Sequence, residues 1–317
     1  MAGHRRWQRW LRRTALGVAI LVAAVTAFSF GYNALTRTPM AVPSGLTYVQ
    51  AGDVRTRFRE WGTAGTPIVL VHGFVESADT WKYTAPRLAA AGHRVYALDL
   101  DGWGYSQRVA PFTAEHQTTQ LLDFIAALHL HRPVLVGHSS GAAIVAMAAL
   151  RQPSALGGLM FLDGDGLNTG AGARSPLTKL FINPYRTTIF RLLLRSDAFV
   201  RSVYGSACGS SCPPLDAAGI DQWRRPLQVA GAEAALWAMA EQGVPGLPSA
   251  TLARLSSTDL PKAVVFGADD SDFPKSSPYT TAALIGAPPP TLIPGARHLT
   301  PVNSPAAVAA AILALAR

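Results

Sequence analysis

Short apolar runs recur along most of the chain, and segments with apolar residues at helical spacing lie between the first three of these runs. Five runs consist almost entirely of apolar residues: 67–71, 94–98, 133–136, 159–162 and 262–266. Continuous runs of this length are typical of strands buried on both faces of a parallel sheet. Residues 79–91 and 116–130 carry apolar side chains at helical spacing, so strands and helices alternate. The pattern predicts an α/β fold, a mostly parallel sheet with helices on both faces.

A different pattern precedes the first of these runs. In residues 55–61 charged and bulky side chains alternate, which is typical of an exposed edge strand. Residues 38–52 are rich in Pro, Ser and Gly. We therefore predict a linker over residues 34–54, followed by an edge strand.

The N-terminal segment combines a basic cluster with a long uncharged run. Five arginines precede residue 14, namely Arg5, Arg6, Arg9, Arg12 and Arg13, and residues 14–32 carry no charge. About 20 apolar residues cross a bilayer as a helix, and flanking positive charge stays on the cytoplasmic side. We predict a cytoplasmic segment at 1–13 and a transmembrane signal-anchor at 14–33. The alternative is a signal peptide cleaved after Ala27; both interpretations place the rest of the chain outside the cytoplasm.

The charge does not indicate a nucleic-acid partner. The net charge is +9, but five of the positive charges belong to the N-terminal arginine cluster. The remaining lysines and arginines are scattered and form no basic stripe with interleaved aromatic residues. With 49% hydrophobic and 15% charged residues, the chain is well supplied for a folded core.

The two cysteines agree with an exported protein. Cys208 and Cys212 are separated by Gly-Ser-Ser, which turns tightly enough to bring the two sulfurs together. In an oxidising compartment we predict a disulfide, the alternative being two free thiols. No histidine or further cysteine lies nearby, so a metal site is not indicated.

The stretch 133–146 predicts a sharp turn from a buried strand into a helix. Gly137-His-Ser-Ser-Gly141 follows the apolar run and precedes small, helix-forming residues. A serine at such a corner takes a strained backbone conformation that projects its hydroxyl above the sheet. The flanking glycines are expected because a Cβ there would collide where strand and helix pass closely. Ser139 is therefore a candidate nucleophile.

A second candidate feature follows the first buried strand. In His72-Gly73-Phe74 the glycine lets the backbone turn, so that the N–H of Phe74 faces the space above the sheet. A donor at this place stabilises an oxyanion. His72 itself is expected to be structural.

These pieces resemble the α/β-hydrolase superfamily, in the branch that holds bacterial esterases, C–C bond hydrolases and cofactor-free haloperoxidases. The resemblance rests on five matching motifs, which occur in the family's order: His72-Gly73-Phe74 with Trp81, Asp99-x-x-Gly102-x-Gly104-x-Ser106, Gly137-His-Ser-Ser-Gly141, Gly267-Ala-Asp-Asp270 and Gly295-Ala-Arg-His298. They cover nearly everything from residue 55 to residue 317.

The resemblance implies site residues at defined positions. In this family the nucleophile, the acid and the histidine follow one another along the chain, which fits Ser139 and His298, and the family pattern Gly-x-x-Asp after a buried strand selects Asp270 as the acid. Alternative acids are Asp269, beside Asp270, and Asp163 or Asp165, after the preceding strand. The oxyanion would be held by the backbone N–H groups of Phe74 and Ser140. The family's enzymes of this type need no metal or organic cofactor.

The resemblance also implies an architecture and a reaction. We expect a core of residues 55–170 and 258–317, with an eight-stranded type of sheet, and an inserted helical cap at 171–257.

Apolar cap residues (Ile189, Phe190, Leu193, Trp237 and Met239) suggest an apolar or acyl substrate. The expected reaction is ester hydrolysis through an acyl-enzyme; the alternatives are C–C hydrolysis, perhydrolysis, acyl transfer or a non-catalytic binding role. Family members that open epoxides or remove halides carry aspartate at the corner, so neither activity is favoured. The expected partners are a small ester or acyl substrate and the membrane, and the sequence indicates no oligomeric state.

Overall fold

The computed structural model of the chain describes residues 2–168 and 182–316. The chain divides into two compact units. The smaller unit consists of Met1–Pro39 and Ala173–Phe199, and the larger of Met40–Gly172 and Val200–Arg317. The predicted junction between core and cap, at residues 170 and 171, lies outside the described residues.

The larger unit is built on one eight-stranded sheet. Its strands are β1 (Thr47–Ala51), β2 (Val54–Trp61), β3 (Pro67–Val71), β4 (Arg94–Leu98), β5 (Val134–His138), β6 (Gly158–Leu162), β7 (Lys262–Gly267) and β8 (Thr291–Ile293). They lie in the order β1-β2-β4-β3-β5-β6-β7-β8. The pairs β1–β2 and β2–β4 are antiparallel, and all the other pairs are parallel. This mostly parallel sheet confirms the predicted fold class.

Helices follow most of the strands. The described helices are α1 (Ala2–Leu35), α2 (Ala85–Ala90), α3 (Ala114–Ala127), α4 (Gly141–Arg151), α5 (Tyr185–Arg195), α6 (Asp197–Cys208), α7 (Ala217–Arg224), α8 (Ala232–Gln242), α9 (Ser249–Leu252), α10 (Ser277–Ile285), α11 (Thr300–Asn303) and α12 (Pro305–Leu315). The connections β3–α2–β4 and β4–α3–β5 run in opposite directions along the sheet. Right-handed crossovers therefore place α2 and α3 on opposite faces, and the central strands are buried on both sides. Every residue of β5 and β6 is buried.

The N-terminal side of the sheet differs from the sequence prediction. Residues 47–51, predicted to belong to a linker, form the edge strand β1. The strand β2 therefore lies between β1 and β4 and is not an edge strand. Its Arg57 is buried because Asp79 and Asp99 neutralise the guanidinium, with Nη2–Oδ1 and Nη1–Oδ1 distances of 2.9 and 3.3 Å. Arg55 and Glu60 are exposed as the alternation of charge and bulk predicts, whereas Arg57 is buried by ion pairing.

The smaller unit contains the N-terminal helix and α5. Within the described residues, Arg6–Leu35 is the one helical stretch long and apolar enough to cross a membrane, a test that a signal sequence also passes. Helix α5 packs on α1: the Asn33 amide donates to the Pro184 carbonyl at 2.9 Å, and the hydroxyls of Thr26 and Tyr185 lie 2.6 Å apart.

Candidate active site

Ser139 occupies the sharp turn that the sequence predicts. It connects β5 to α4 and has a φ of +51°, a left-handed conformation that costs energy for a residue with a Cβ. A Cβ added to Gly137 would lie 2.7 Å from the Ala142 nitrogen, and one at Gly141 would lie 2.7 Å from the His72 carbonyl oxygen. The backbone passes too closely for a side chain at either glycine, which explains why both flank the serine.

The structure brings Ser139, His298 and Asp270 into one hydrogen-bonded line. The His298 Nε2 lies 2.9 Å from Ser139 Oγ, and His298 Nδ1 lies 2.9 Å from Asp270 Oδ2. Because a carboxylate only accepts, Nδ1 carries the proton, and Nε2 is left to accept the serine proton. Burial lowers the pKa of His298, but the hydrogen bond to Asp270 and the negative charges of Asp270 and Asp163 outweigh it, so this pKa lies above its ordinary value.

The alternative acids lie elsewhere. Asp163 is fully buried at the end of β6, where Oδ1 accepts from the Gly267 N–H at 2.7 Å and Oδ2 accepts from the Thr300 hydroxyl. Burial raises the pKa of Asp163 to about 7. Asp165 accepts from the Leu167 N–H at 3.0 Å, and Asp269 is exposed. None of the three is hydrogen-bonded to the His298 ring in the described structure.

The two predicted oxyanion donors lie beside the serine. The N–H of Ser140 begins α4, and that of Phe74 follows Gly73. Among the described residues, neither N–H donates a hydrogen bond, so both are available to a ligand. A Cβ on Gly73 would lie 2.8 Å from Ser139 Cβ, so this loop approaches the nucleophile as closely as its glycine allows. The nearby His72 is structural: its Nε2 accepts from the Leu100 N–H at 3.0 Å.

A buried ion pair lies behind the candidate nucleophile and was not predicted from the sequence. Glu76 is 3.0 Å from His138 Nδ1, and His138 Nε2 donates to the His298 carbonyl at 2.8 Å. Burial opposes both charges, but mutual attraction and hydrogen bonding raise the pKa of His138 to about 9 and lower that of Glu76. The pair connects the Gly73 loop, the end of β5 and the backbone of His298. An acidic residue directly after Phe74 and Val75 is the signal that sequence reasoning overlooked.

Aromatic rings flank the candidate site. The Phe273 ring lies 5.9 Å from the His298 ring, and Phe74 and Trp103 make an edge-to-face contact at 4.7 Å. Of the predicted pocket residues, Met239 is buried and its sulfur lies 3.7 Å from the Gln117 amide. Apolar rings therefore lie beside His298 and in the loop of Phe74, and Phe273 and Trp103 were not among the predicted contacts.

The predicted disulfide between Cys208 and Cys212 is present at the end of α6. This end of α6 supports the segment that carries His298. The Leu299 N–H donates to the Ala207 carbonyl at 3.1 Å, and the Asn303 amide donates to the Cys208 carbonyl at 2.9 Å. The disulfide is therefore expected to stabilise the end of α6, which holds the residues that follow His298.

We expect a variant with Cys208→Ser and Cys212→Ser to lose about 2 kcal/mol in the free energy of unfolding, the value expected for a loop of this size. Because the same segment holds the residues after His298, kcat should fall as well. Urea unfolding and initial rates measure both effects. The control is a variant with Ser210→Ala and Ser211→Ala, which changes two exposed loop residues and keeps the disulfide. Equal stability of the two variants would contradict a stabilising role.

One cluster in the described residues has the composition of a metal site. Ligand atoms of Asp270, Asp272 and His298 lie within 4.8 Å of one another. The His298 nitrogens, however, already lie within hydrogen-bond distance of Ser139 and Asp270, and a cation on either nitrogen would break that line. The arrangement therefore fits proton transfer better than metal binding.

Comparisons with known proteins agree with the fold. Bifunctional epoxide hydrolase 2 of Sus scrofa is 36% identical over 118 residues, which is 36% of this chain and about a fifth (21%) of that enzyme. Among solved structures, a serine hydrolase involved in carbazole degradation, the CarC enzyme, has a TM-score of 0.69 at 23% identity over 85% of this chain and 97% of its own. A membrane phospholipase A, described as a bacterial virulence factor, has a TM-score of 0.68 at 23% identity over 99% of this chain and 98% of its own.

A family model decides the assignment. The model of the alpha/beta hydrolase family matches residues 68–311, which contain β3 without its first residue, the strands β4 to β8, and each of Ser139, Asp270 and His298. The match covers well over half of the chain. The protein belongs to the alpha/beta hydrolase family.

Proposed function

We propose that this protein is a serine hydrolase that cleaves a carboxylic ester of an apolar or acyl compound through an acyl-enzyme. The observation that carries the proposal is the hydrogen-bonded line from Ser139 through His298 to Asp270, with the serine held in a left-handed conformation. A serine hydroxyl is a poor nucleophile until a base removes its proton and a third group orients that base. The three residues fit these three roles.

The proposed reaction uses only groups of the chain and water. Ser139 Oγ attacks the ester carbonyl while His298 Nε2 takes the serine proton, and Asp270 stabilises the imidazolium. The N–H groups of Phe74 and Ser140 hold the negative oxygen of the tetrahedral intermediate. His298 then gives its proton to the departing alcohol. In the second half a water molecule attacks the acyl-enzyme while His298 takes a proton from that water. The bond between the acyl carbon and Ser139 Oγ then breaks, His298 returns the proton to Oγ, and the acid leaves.

The nucleophile and its surroundings support an ester over the substrates of other family members. An aspartate stands at the corner in the family's epoxide and haloalkane enzymes, whereas this chain has Ser139. The half-buried rings of Phe273 and Phe74 offer apolar contacts, which suit an acyl group better than a sugar or a phosphate.

We further propose that α1 anchors the enzyme in a membrane, with the catalytic unit outside the cytoplasm. Five arginines precede the uncharged run of α1, and the Cys208–Cys212 disulfide suits an oxidising compartment. The match to the membrane phospholipase A covers 99% of the chain and so extends over α1. This likeness makes lipid-derived esters the first substrates to test.

The full chain in detergent should react covalently with a fluorophosphonate probe at Ser139, because the probe needs an activated serine and an oxyanion hole. Mass spectrometry of the digested protein locates the adduct. The same preparation is expected to hydrolyse p-nitrophenyl esters, with rates that depend on acyl-chain length from acetate to palmitate. A folded protein that neither takes up the probe nor turns over any ester would refute the proposed function.

A further inference from the structure

Helix α1 carries a polar stripe within its otherwise apolar surface. Thr26, Ser29, Asn33 and Thr36 recur at intervals of three or four residues and so lie on one face. The other side chains between Leu16 and Phe30 are mostly large, apolar and exposed in the structure. Polar groups at membrane depth are costly unless they have partners. Thr26 and Thr36 donate to carbonyls of α1 itself, at 2.7 and 2.8 Å, whereas the Asn33 amide needs partners from another helix.

Helix α5 supplies those partners. Asn33 donates to the Pro184 carbonyl at 2.9 Å and accepts from the Thr188 hydroxyl at 3.0 Å. Arg191 donates to the Asn33 carbonyl at 3.0 Å and to the Thr36 hydroxyl at 3.1 Å. These contacts fix α5 across the C-terminal part of α1.

The crossing point lies at the depth where α1 would leave the bilayer. The uncharged run of α1 begins at Thr14. From Thr14 to Asn33 a helix rises about 28 Å, which is close to the roughly 30 Å of a hydrocarbon core. Thr26, which contacts Tyr185, lies about 10 Å deeper along the helix axis. The side chain of Tyr185 therefore reaches into the level of the outer leaflet, while Pro184 and Thr188 stay at the level of Asn33.

The free face of α5 has the composition of an interfacial helix. Ile189, Leu192 and Leu193 lie on one face and are 40%, 44% and 39% exposed. Residues 182–195 contain three arginines and no acidic residue. Basic side chains beside an exposed apolar face are typical of helices that lie in the plane of an anionic membrane surface.

We infer that α5 lies in the membrane interface on the side opposite to the N-terminal arginines, with Ile189, Leu192 and Leu193 among the acyl chains of the lipid. The arginines of α5 are then at the level of the lipid phosphates. This rests on the proposed membrane anchor and extends it, because it gives the enzyme a second lipid contact 150 residues or more after α1 in sequence. The exposed apolar face of α5 thus contacts the lipid bilayer and not another protein.

The experiment places one fluorescent probe on α5 and a matched one in the middle of α1. Full-length variants with Leu193→Cys or Val22→Cys are labelled with bimane and reconstituted into nanodiscs that contain anionic lipid; the native cysteines are in the disulfide and do not react. Nitroxides attached near the lipid headgroup should quench the probe at position 193 most strongly. Nitroxides near the chain end should quench the probe at 22. Iodide in the water should affect both weakly, and Ile189→Cys should repeat the result at 193.

The two probes separate the two proposals. If iodide quenches the probe at 193 while lipid nitroxides quench the one at 22, the anchor stands and the interfacial position of α5 is refuted. If neither quencher reaches position 193, protein covers this face and the inference is equally refuted. If iodide quenches the probe at 22, the membrane anchor fails, and the inference fails with it. Labelling of Ser139 by the fluorophosphonate probe is independent of all three outcomes.

Discussion

Ser139→Ala is expected to lower kcat for p-nitrophenyl esters by about 10³-fold or more. Without the hydroxyl no acyl-enzyme forms, and only water can attack an ester whose carbonyl oxygen lies in the oxyanion hole. KM should change little, because a methyl group at the turn leaves the aromatic walls and the donors of Phe74 and Ser140 in place. Alanine also keeps the Cβ that the turn already accommodates, so the fold is not expected to suffer. Steady-state rates and fluorophosphonate labelling of the same preparation measure the two consequences.

A nearby serine provides the matched control for this variant. Ser271 lies next to Asp270 and is exposed, and Ser271→Ala should keep kcat near the value of the unchanged enzyme. Retention of activity and of labelling in Ser139→Ala would show that another residue is the nucleophile. Loss of activity in both variants would show that the site tolerates neither substitution. The loss in Ser139→Ala would then not identify Ser139 as the nucleophile.

The sheet and the nucleophile turn could be predicted from the sequence because local physics determines both. A strand covered by helices on both faces must be apolar along its length, and the runs 67–71 and 262–266 are β3 and β7 residue for residue or nearly so. Gly137 and Gly141 indicate the close passage of strand and helix without any knowledge of the rest of the fold. Such signals lie within a few residues of the feature that they predict.

The features that the sequence analysis misjudged or missed depend on residues that lie far apart in the sequence. Arg57 looks exposed in sequence, but Asp79 and Asp99 neutralise it from 22 and 42 positions away. Glu76 likewise acquires its partner, His138, only when the sheet brings β3 and β5 side by side. Pairing across such separations depends on the register of the strands, which hydrophobic periodicity does not give.

The order of residues in the sequence does not decide between Asp163 and Asp270 as the acid, and the sheet explains why. Asp163 follows β6 and Asp270 follows β7, and these are neighbouring parallel strands whose ends lie at the same edge of the sheet. Both carboxyls therefore approach His298, and sequence order alone leaves both open. The structure places Asp270 2.9 Å from Nδ1 and turns Asp163 towards Gly267 and Thr300.

Asp270→Asn is expected to reduce kcat by about 10³- to 10⁴-fold, because an amide neither stabilises the imidazolium nor holds the tautomer with the proton on Nδ1. The pH profile should change too. Catalysis needs neutral His298, so activity of the unchanged enzyme falls as the pH drops through the raised pKa of this histidine, above its ordinary value. Asp270→Asn removes the main cause of that rise and should move the acidic limb to lower pH.

Asp163→Asn distinguishes the two acids. Burial raises the pKa of Asp163 to about 7, so near neutral pH its carboxyl is only partly ionised, and an amide of similar shape replaces it at modest cost. We expect kcat to fall by less than about tenfold, a small effect beside the four powers of ten that a misoriented base can cost. A loss of 10³-fold in Asp163→Asn together with a mild effect of Asp270→Asn would assign the acid to β6 instead. A large loss in both would mean that the two carboxyls act on His298 jointly, since each raises its pKa, and the double variant would then lose little more than either single one.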